Sequence, residues 1–306
     1  MLRISDSLPA GFADTAVAIG KFDGLHLGHQ QLLHELVETS EELGLAACVL
    51  TFDRHPNSVL KPSSVPLPLI GTNQREELFE SLGVEALRVL HFDHALADLS
   101  PDAFVVKHLV PLRARLVLVG EGFRFGAGGR GDVDVLRSLG SSQGFQVREV
   151  SNVEVDGHKI STSDIRELLD KGNVEVANIL LGRLHATVGE VEHGRKLGRQ
   201  LGFPTANLSR SSEGYLPADG VYAGYLTCEG IRYPAAHSVG TNDSIEAVPR
   251  LLESHVIGRD DLDFYDKVVV CEYVAQVRGW AKYESVEVLK TQIASDIARA
   301  KELLAE

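Results

Sequence analysis

Five side chains of this 306-residue chain have the types and spacings that chemistry on phosphates requires. Thr205 and Asn207 lie two residues apart, so an extended backbone directs both side chains to one face. A threonine hydroxyl and an asparagine carbonyl are hard oxygen ligands, which suit Mg²⁺ and bind softer metals poorly. Glu253 supplies a carboxylate further on, and His26 and His29 form a second group near the beginning. Together these residues predict two separate nucleotide-handling sites.

The two histidines lie where a glycine-rich turn leads into a helix. Gly20, Gly24 and Gly28 allow the backbone to turn and to approach a ligand closely, and histidines three residues apart share a helix face. N–H groups at a helix N-terminus attract phosphate oxygens, and two imidazoles can donate to developing negative charge. An attacking phosphate is already ionised, so positioning and charge stabilisation would suffice without a general base. Taken alone, the pair is more often an ordinary capped helix start.

Composition restricts the classes of partner. The 43 acidic and 30 basic residues give a formal net charge of −13, which argues against broad binding to nucleic acid or to an anionic membrane. A phosphate-bearing ligand must then be held by local basic groups, backbone N–H groups or a metal.

The cysteines lie far apart, so neither a disulfide framework nor a cysteine zinc site is expected. The first residues do not resemble a signal peptide, and no stretch approaches the roughly 18 apolar residues of a membrane span. We expect a cytoplasmic protein.

The first half of the chain alternates between strand and helix patterns. Strands are predicted over 15–20, 46–52, 86–92, 115–120 and 146–150, and helices over 26–43, 73–82, 101–109 and 132–139. Such alternation indicates a parallel sheet with helices on its faces, an α/β fold of the Rossmann-like type. Ligands bind at the carboxyl ends of the strands of such a sheet, where Gly20 and Gly120 fall.

The second half has a different pattern. Two short helices over 164–171 and 173–181 are followed by short β-rich runs at 186–191, 221–228, 233–239, 252–257 and 268–277. Turn residues separate these runs, as in a small antiparallel β-barrel. An amphipathic helix over 283–304 closes the chain, with Val286, Leu289, Ile293, Ile297, Ala300 and Leu304 expected to face inward. We place the domain boundary near Arg183, giving domains 1–183 and 184–306.

The histidine-containing turn, Gly-Lys-Phe-Asp-Gly-Leu-His-Leu-Gly-His at 20–29, resembles the prokaryotic bifunctional riboflavin kinase/FAD synthetase family. Three further segments fit this resemblance: Thr-Phe-Asp-Arg-His-Pro at 51–56, Gly-Glu-Gly-Phe-Arg-Phe-Gly at 120–126 and Ile-Ser-Thr-Ser-Asp-Ile-Arg at 160–166. The resemblance implies an FMN adenylyltransferase module of the nucleotidyltransferase superfamily, with His26 and His29 as catalytic residues. It also implies contacts to ATP or substrate from Gly20, Phe22, Asp23, Gly24, Thr162, Ser163 and Arg166.

The β-rich half resembles the riboflavin kinase module of the same family. The similarity covers 194–207, which ends in Gly-Phe-Pro-Thr-Ala-Asn, and 216–222. It implies that Thr205 and Asn207 bind Mg²⁺, that Asn207 is also catalytic, and that Glu253 is the general base for a ribityl hydroxyl, which is a poor nucleophile. As a lone glutamate in a strand, Glu253 would more often face solvent. Contacts to ATP or substrate are implied for Gly198, Arg199, Gly202, Pro204 and Thr205.

The chain departs from the family pattern at several positions. Gly122 stands where the family usually has Asn or Asp, and losing one such polar contact could cost on the order of 1–3 kcal/mol. Lys21 replaces a small apolar residue, and Ser163 replaces threonine but keeps the hydroxyl. The loop segments 240–245 and 258–266 also differ. These departures predict altered loop geometry and affinity, and weakened adenylyl transfer unless a water replaces the missing contact at Gly122.

The resemblance spans about residues 15 to 304 and implies a Mg²⁺-dependent enzyme with ATP as co-substrate. Such an enzyme makes FMN from riboflavin and ATP, and then FAD and pyrophosphate from FMN and a second ATP. One alternative is a riboflavin kinase whose adenylyltransferase domain is weakened or inactive. Another is a non-catalytic flavin or nucleotide sensor, although a sensor would not need a general base. A nucleic-acid-binding role for the barrel has less support than either alternative, because the chain is acidic and its sequence shows no basic face with interleaved aromatic residues. The sequence leaves the oligomeric state open.

Overall fold

The computed structural model describes residues 1–155, 157–193, 198, 201–240 and 250–305. It divides into two compact units, Met1–Pro68 with Arg75–Ile160 and Leu69–Gln74 with Ser161–Glu306. Within the described residues, no helix combines the length and hydrophobicity that crossing a membrane requires.

The first unit is built on a six-stranded sheet in which all neighbouring strands are parallel. Its strands are β1 (Leu2–Arg3), β2 (Thr15–Ile19), β3 (Ala46–Phe52), β4 (Ala86–Leu90), β5 (Ala114–Gly120) and β6 (Gln146–Val150). The spatial order is β1-β4-β3-β2-β5-β6. All five residues of β2 are buried, as expected for a strand covered on both faces. The predicted α/β sheet is confirmed; β1 was not predicted, because two residues carry no periodic signal.

Helices connect these strands. They are α1 (Leu27–Leu43), α2 (Asn57–Leu60), α3 (Thr72–Ser81), α4 (His94–Ala97), α5 (Pro101–Phe104) and α6 (Val133–Gln143). The helix predicted over 101–109 is only partly α-helical, since it becomes a π-helix at Val105–Leu109 and a 3₁₀ turn at Val110–Leu112. A two-stranded hairpin of β7 (Glu154–Val155) and β8 (His158–Lys159) follows β6.

The strand order reverses between β2 and β5. From β2 the chain proceeds to β3 and β4 on one side, and then crosses to β5 and β6 on the other. Such a switch point opens a crevice at the carboxyl ends of the two central strands. Gly20 and Gly120 lie at these ends, as predicted.

The second unit contains α7 (Thr162–Asp170), α8 (Val174–Leu181) and a closed antiparallel barrel. The barrel strands are β9 (His185–Glu192), β10 (Ala206–Leu208), β11 (Gly220–Cys228), β12 (Ile231–Gly240), β13 (Leu251–Val256) and β14 (Val268–Gly279). They close in the order β10-β13-β12-β11-β14-β9, and β9 pairs with β10. The predicted barrel is confirmed. Strand β10 was not among the predicted strands, because three residues are too few to show a period of two.

The C-terminal helix α9 (Val286–Leu303) begins later than predicted. Ser285 caps it, since its hydroxyl accepts a hydrogen bond from the Val288 N–H. The inward orientation predicted for Val286 is wrong, because this side chain is 57% exposed. The buried helix positions include Asp296, whose carboxylate accepts hydrogen bonds from the Arg278 guanidinium of β14. A buried ion pair thus contributes to the contact between α9 and the barrel.

Strand β11 has no room for a side chain at Gly224. An added Cβ would overlap the carbonyl oxygen of Glu272 and lie 2.7 Å from Nε2 of the buried His237. We expect Gly224→Ala to lower the free energy of unfolding of the barrel by about 1–3 kcal/mol, the usual cost of overpacking. Urea denaturation would measure this. Gly279→Ala is the matched control, because no atom in the described part of the chain lies within 4 Å of its added Cβ. Equal stability of both variants would contradict the expectation.

Two buried histidines make the stability of the barrel depend on pH. Burial lowers the pKa of both His185 and His237 from 6.5 to about 4. The unfolded chain therefore binds more protons than the folded barrel between these values, and the associated stability is full above pH 6.5 and lost as the pH falls towards 4. We expect the urea midpoint of the barrel to fall between pH 7 and pH 5. His237→Gln should reduce the change of the urea midpoint with pH. An unchanged pH dependence would show that His237 does not contribute to it.

Candidate active sites

The first candidate site is the turn that connects β2 to α1. Phe22 and Leu25 adopt left-handed backbone conformations, with φ of 52° and 44°, which are uncommon for non-glycine residues. The Phe22 ring is fully buried and packs edge-on against His29 and Phe79, with centroid distances of 5.4 Å in both cases. Gly20 is required beneath this ring, since an added Cβ would come within 3.0 Å of it. Packing therefore holds a strained turn, which also contains Asp23 and Gly24, in one conformation.

This turn places the two predicted histidines against each other. Their rings stack with centroids 3.8 Å apart and an interplanar angle of 24°. His26 is the N-cap residue of α1. Burial lowers the pKa of His29 well below its ordinary value, and the neighbouring His26 and Lys21 lower it further. His29 is therefore neutral at pH 7 and can donate one N–H.

The N-terminus of α1 is suited to an anion. The first turn of this 17-residue helix carries no acidic side chain. Its first backbone N–H groups carry the positive end of the helix dipole. The side chain of Lys21 adds a cation near this point. The neutral imidazole of His29, the helix N–H groups and a lysine together provide hydrogen-bond donors for phosphate oxygens.

A cavity of about 490 Å³ lies at the carboxyl end of the sheet in the same unit. Five phenylalanines contribute to the lining of this aromatic cavity: Phe52, Phe92, Phe104, Phe123 and Phe125. Sequence reasoning missed this cavity, although phenylalanines at the ends of the predicted strands were a usable signal. Gly122 forms part of the wall with φ of 77°, a conformation that glycine or asparagine tolerates. No atom of the described residues lies within 4 Å of an added Cβ at Gly122, so a side chain would have space there.

Thr162, Ser163 and Arg166 lie at the beginning of α7, in the second compact unit. Ser161 is the residue that caps this helix, because its hydroxyl accepts a hydrogen bond of 3.2 Å from the Asp164 N–H. The predicted helix N-terminus is thus present, and the hydroxyls of Thr162 and Ser163 belong to its first turn.

The second candidate site lies on the outer face of the barrel. Asn207 on β10 is directly opposite Glu253 on β13. Directly paired residues of antiparallel strands point to the same face, with their Cβ atoms about 4.5–5.5 Å apart. The Asn207 amide Nδ2 donates to the Thr205 carbonyl oxygen at 3.3 Å, which directs the amide oxygen Oδ1 elsewhere. The three predicted residues Thr205, Asn207 and Glu253 are therefore neighbours.

A tight turn precedes Thr205. The Phe203 N–H donates to the Gly198 carbonyl at 2.8 Å, and an added Cβ at Gly198 would overlap the Phe203 carbonyl oxygen. Gly202 has φ of 89°, which favours glycine. The Pro204 carbonyl accepts a hydrogen bond of 2.8 Å from Nδ1 of His255. Arg199, the cations at 195 and 196, and the altered loop 241–245 lie outside the described residues.

Two clefts adjoin the Asn207–Glu253 pair. One contains Pro204, Thr205 and Asn207, and is completed by Asp263 and Tyr265 of the altered 258–266 segment. The other has a volume of about 200 Å³ and contains Glu253. Its remaining walls come from β11, β12, β13, β14, the segment between β14 and α9, and α9 itself. They include Val221, Ser238, Arg278, Trp280, Tyr283 and Leu289.

A parallel sheet with a glycine-rich turn at its crevice, followed by a closed barrel that pairs Asn207 with Glu253, fits a two-domain, nucleotide-dependent transferase. A FAD synthetase family model matches residues 9–164, and a Riboflavin kinase model matches residues 181–304. The chain belongs to the family of bifunctional riboflavin kinase/FMN adenylyltransferases, which are ATP-using enzymes of flavin cofactor synthesis.

Two curated relatives carry the name of this family, and one solved structure shares the fold of the chain. The bifunctional riboflavin kinase/FMN adenylyltransferase of Pseudomonas fluorescens is 35% identical, and the alignment covers 94% of this chain and 92% of the relative. The enzyme of that name from Haemophilus influenzae is 32% identical, with 94% and 93% covered. A crystal structure described as a macrolide-efflux protein from Streptococcus pneumoniae is 29% identical, with a TM-score of 0.89 and coverage of 98% and 99%.

Proposed function

We propose that domain 184–306 phosphorylates riboflavin to FMN with ATP, and that domain 1–183 transfers AMP from a second ATP to FMN, releasing pyrophosphate. The observation that carries the proposal is the direct pairing of Asn207 with Glu253. Each of these two residues lines a different cleft. A phosphate donor in one cleft and an acceptor in the other would therefore meet at this pair.

In the kinase reaction, we assign Glu253 as the general base. Its carboxylate takes the proton of the terminal ribityl hydroxyl as that oxygen attacks the γ-phosphorus of ATP, and the bond to the β–γ bridging oxygen breaks to release ADP. Riboflavin occupies the Glu253 cleft, where Val221 and Leu289 offer apolar contacts. ATP lies along Gly198, Arg199, Gly202, Pro204 and Thr205. Asn207 helps to position its phosphates.

Mg²⁺ fits this donor set. The Thr205 hydroxyl and the Asn207 amide oxygen are hard ligands, and the hydrogen bond from Asn207 Nδ2 leaves Oδ1 to serve as the ligand atom. Among the described residues, no three His, Cys, Asp or Glu side chains group as a metal site, and Mg²⁺ in nucleotide sites takes few protein ligands besides phosphates. When bound, it would neutralise charge on the γ-phosphate.

In the adenylyl transfer, the FMN phosphate attacks the α-phosphorus of ATP, and pyrophosphate leaves. We propose that His26, His29 and the N-terminus of α1 stabilise the negative charge that develops in this step. No general base is needed, because the attacking phosphate is already ionised. The flavin ring occupies the aromatic cavity, whose apolar lining suits it. Gly20, Phe22, Asp23, Gly24, Thr162, Ser163 and Arg166 are the proposed contacts to ATP or FMN. The cytoplasmic location stays a prediction from the sequence.

A time course tests both activities. Purified protein is incubated with riboflavin, ATP and Mg²⁺, and FMN and FAD are separated by chromatography. We expect FMN first and FAD later, with neither product when EDTA replaces Mg²⁺. Accumulation of FMN without FAD would identify a kinase with a failed adenylyltransferase domain, and Gly122→Asn would then show whether the missing side chain is the cause. Ligand binding without either product would support the sensor alternative.

A further inference from the structure

We propose that Trp280 stacks on the isoalloxazine ring of riboflavin and so determines the affinity of the kinase site for flavin. The inference rests on the proposed function in one respect, because it takes the Glu253 cleft as the riboflavin site. Trp280 is the only tryptophan of the chain. It lines the same cleft as Glu253, although the two lie on different elements.

The exposure of this indole requires an explanation. Trp280 is 56% exposed, whereas aromatic side chains of this size usually contribute to packing by burial. Trp280 shares the cleft lining with Tyr283 and Leu289, and exposed apolar groups that adjoin one another in a groove mark a ligand-binding surface. The indole lies against Gly240, since its Cδ1 is 3.8 Å from where a Cβ of that residue would be. That distance is an ordinary van der Waals contact, so the end of β12 and the indole are close neighbours at the cleft.

The backbone that carries the indole is held in place. The Trp280 N–H donates to the Asp219 carbonyl at 3.1 Å, and the Asp219 carboxylate in turn accepts from Arg250 Nε at 2.6 Å. Two residues before Trp280, the Arg278 guanidinium pairs with the buried Asp296 carboxylate at 2.8 Å. A ligand would therefore contact an indole whose backbone is already ordered, which lowers the entropy cost of binding.

The chemistry of the cleft matches the two ends of riboflavin. An oxidised isoalloxazine ring is flat and electron-poor, and it stacks favourably on the electron-rich face of an indole. Tyr283 and Leu289 supply further aromatic and apolar wall. The ribityl chain then extends along the cleft towards Glu253, which we propose as the base for its terminal hydroxyl. Trp280 would position the substrate, and Glu253 would act on it.

Lumiflavin is the decisive probe, because it carries the ring system without a hydroxyl to phosphorylate. Contact between indole and oxidised flavin produces a charge-transfer absorption band to the red of the flavin's own spectrum. We expect this band to appear when lumiflavin or riboflavin is titrated into the full chain, and to be absent from Trp280→Ala. The riboflavin Kd should rise about tenfold in Trp280→Ala and stay within about threefold in Trp280→Phe, which keeps a stacking ring.

Several controls separate stacking from loss of structure. Removal of an exposed indole leaves no internal cavity, and the urea denaturation midpoint of the barrel checks that each variant is folded. The KM for ATP should not change with the riboflavin Kd. A charge-transfer band in a chain that lacks kinase turnover would support stacking while contradicting the proposed kinase activity. Absence of the band together with an unchanged riboflavin Kd in Trp280→Ala would overturn the proposal, whether or not the chain is a kinase.

Discussion

Glu253→Gln should lower the rate of riboflavin phosphorylation by about 10²–10⁴-fold, the usual contribution of a general base. Glutamine keeps the size and the polarity of the side chain but cannot accept the ribityl proton. The loss should appear in kcat, with little change in the KM for riboflavin, because the proposed position of the flavin ring is elsewhere in the cleft. The measurement is the initial rate of FMN formation at saturating ATP and Mg²⁺.

Glu192→Gln is the matched control for this variant. Glu192 is opposite Asn207 on the other side of β10, so it belongs to the same outward-facing row as Glu253. It lies outside the lining of the proposed riboflavin cleft, and we expect its kinase rate to change little. FAD synthesis from supplied FMN should be nearly normal in both variants. If both activities fell together in folded Glu253→Gln, the assignment of two independent sites would be wrong.

His29→Ala should reduce FAD synthesis from FMN by about 10²–10³-fold, the cost of removing one donor from a charge-stabilising site. Riboflavin phosphorylation by the same protein should continue, because its proposed residues lie on the barrel. His34→Ala is the matched control, since His34 is an exposed residue of the same helix. The measurement is the rate of pyrophosphate release with FMN and ATP.

The pH dependence of adenylyl transfer tests the protonation state of His29. Because its pKa lies well below the ordinary value of 6.5, His29 stays neutral across pH 6–8 and should produce no inflection near 6.5. An inflection near that pH which disappears in His29→Ala would show that the charged imidazole is required. That outcome would contradict catalysis by a neutral donor.

The predictions from the sequence were right about the fold where the pattern depends on residues close together in the chain. The glycines and histidines of 20–29 specify a turn before a helix, and the alternation of apolar strands with amphipathic helices specifies a parallel sheet. Strand β10 was not predicted, because three residues are too few to show a pattern. The inward orientation predicted for Val286 was wrong, and the buried Arg278–Asp296 pair contributes to which face of α9 packs inward. The roles of the site residues stay predictions.

The sequence by itself determined the family and the fold class, because motifs and hydrophobic periodicity are properties of neighbouring residues. Only the tertiary structure decided that Asn207 faces Glu253, since strand register depends on pairing between distant segments. The same holds for the aromatic cavity, which collects phenylalanines from the ends of strands, from α5 and from the segment after β5. It holds also for Trp280, whose position beside Glu253 follows from barrel closure and from hydrogen bonds that no local pattern encodes.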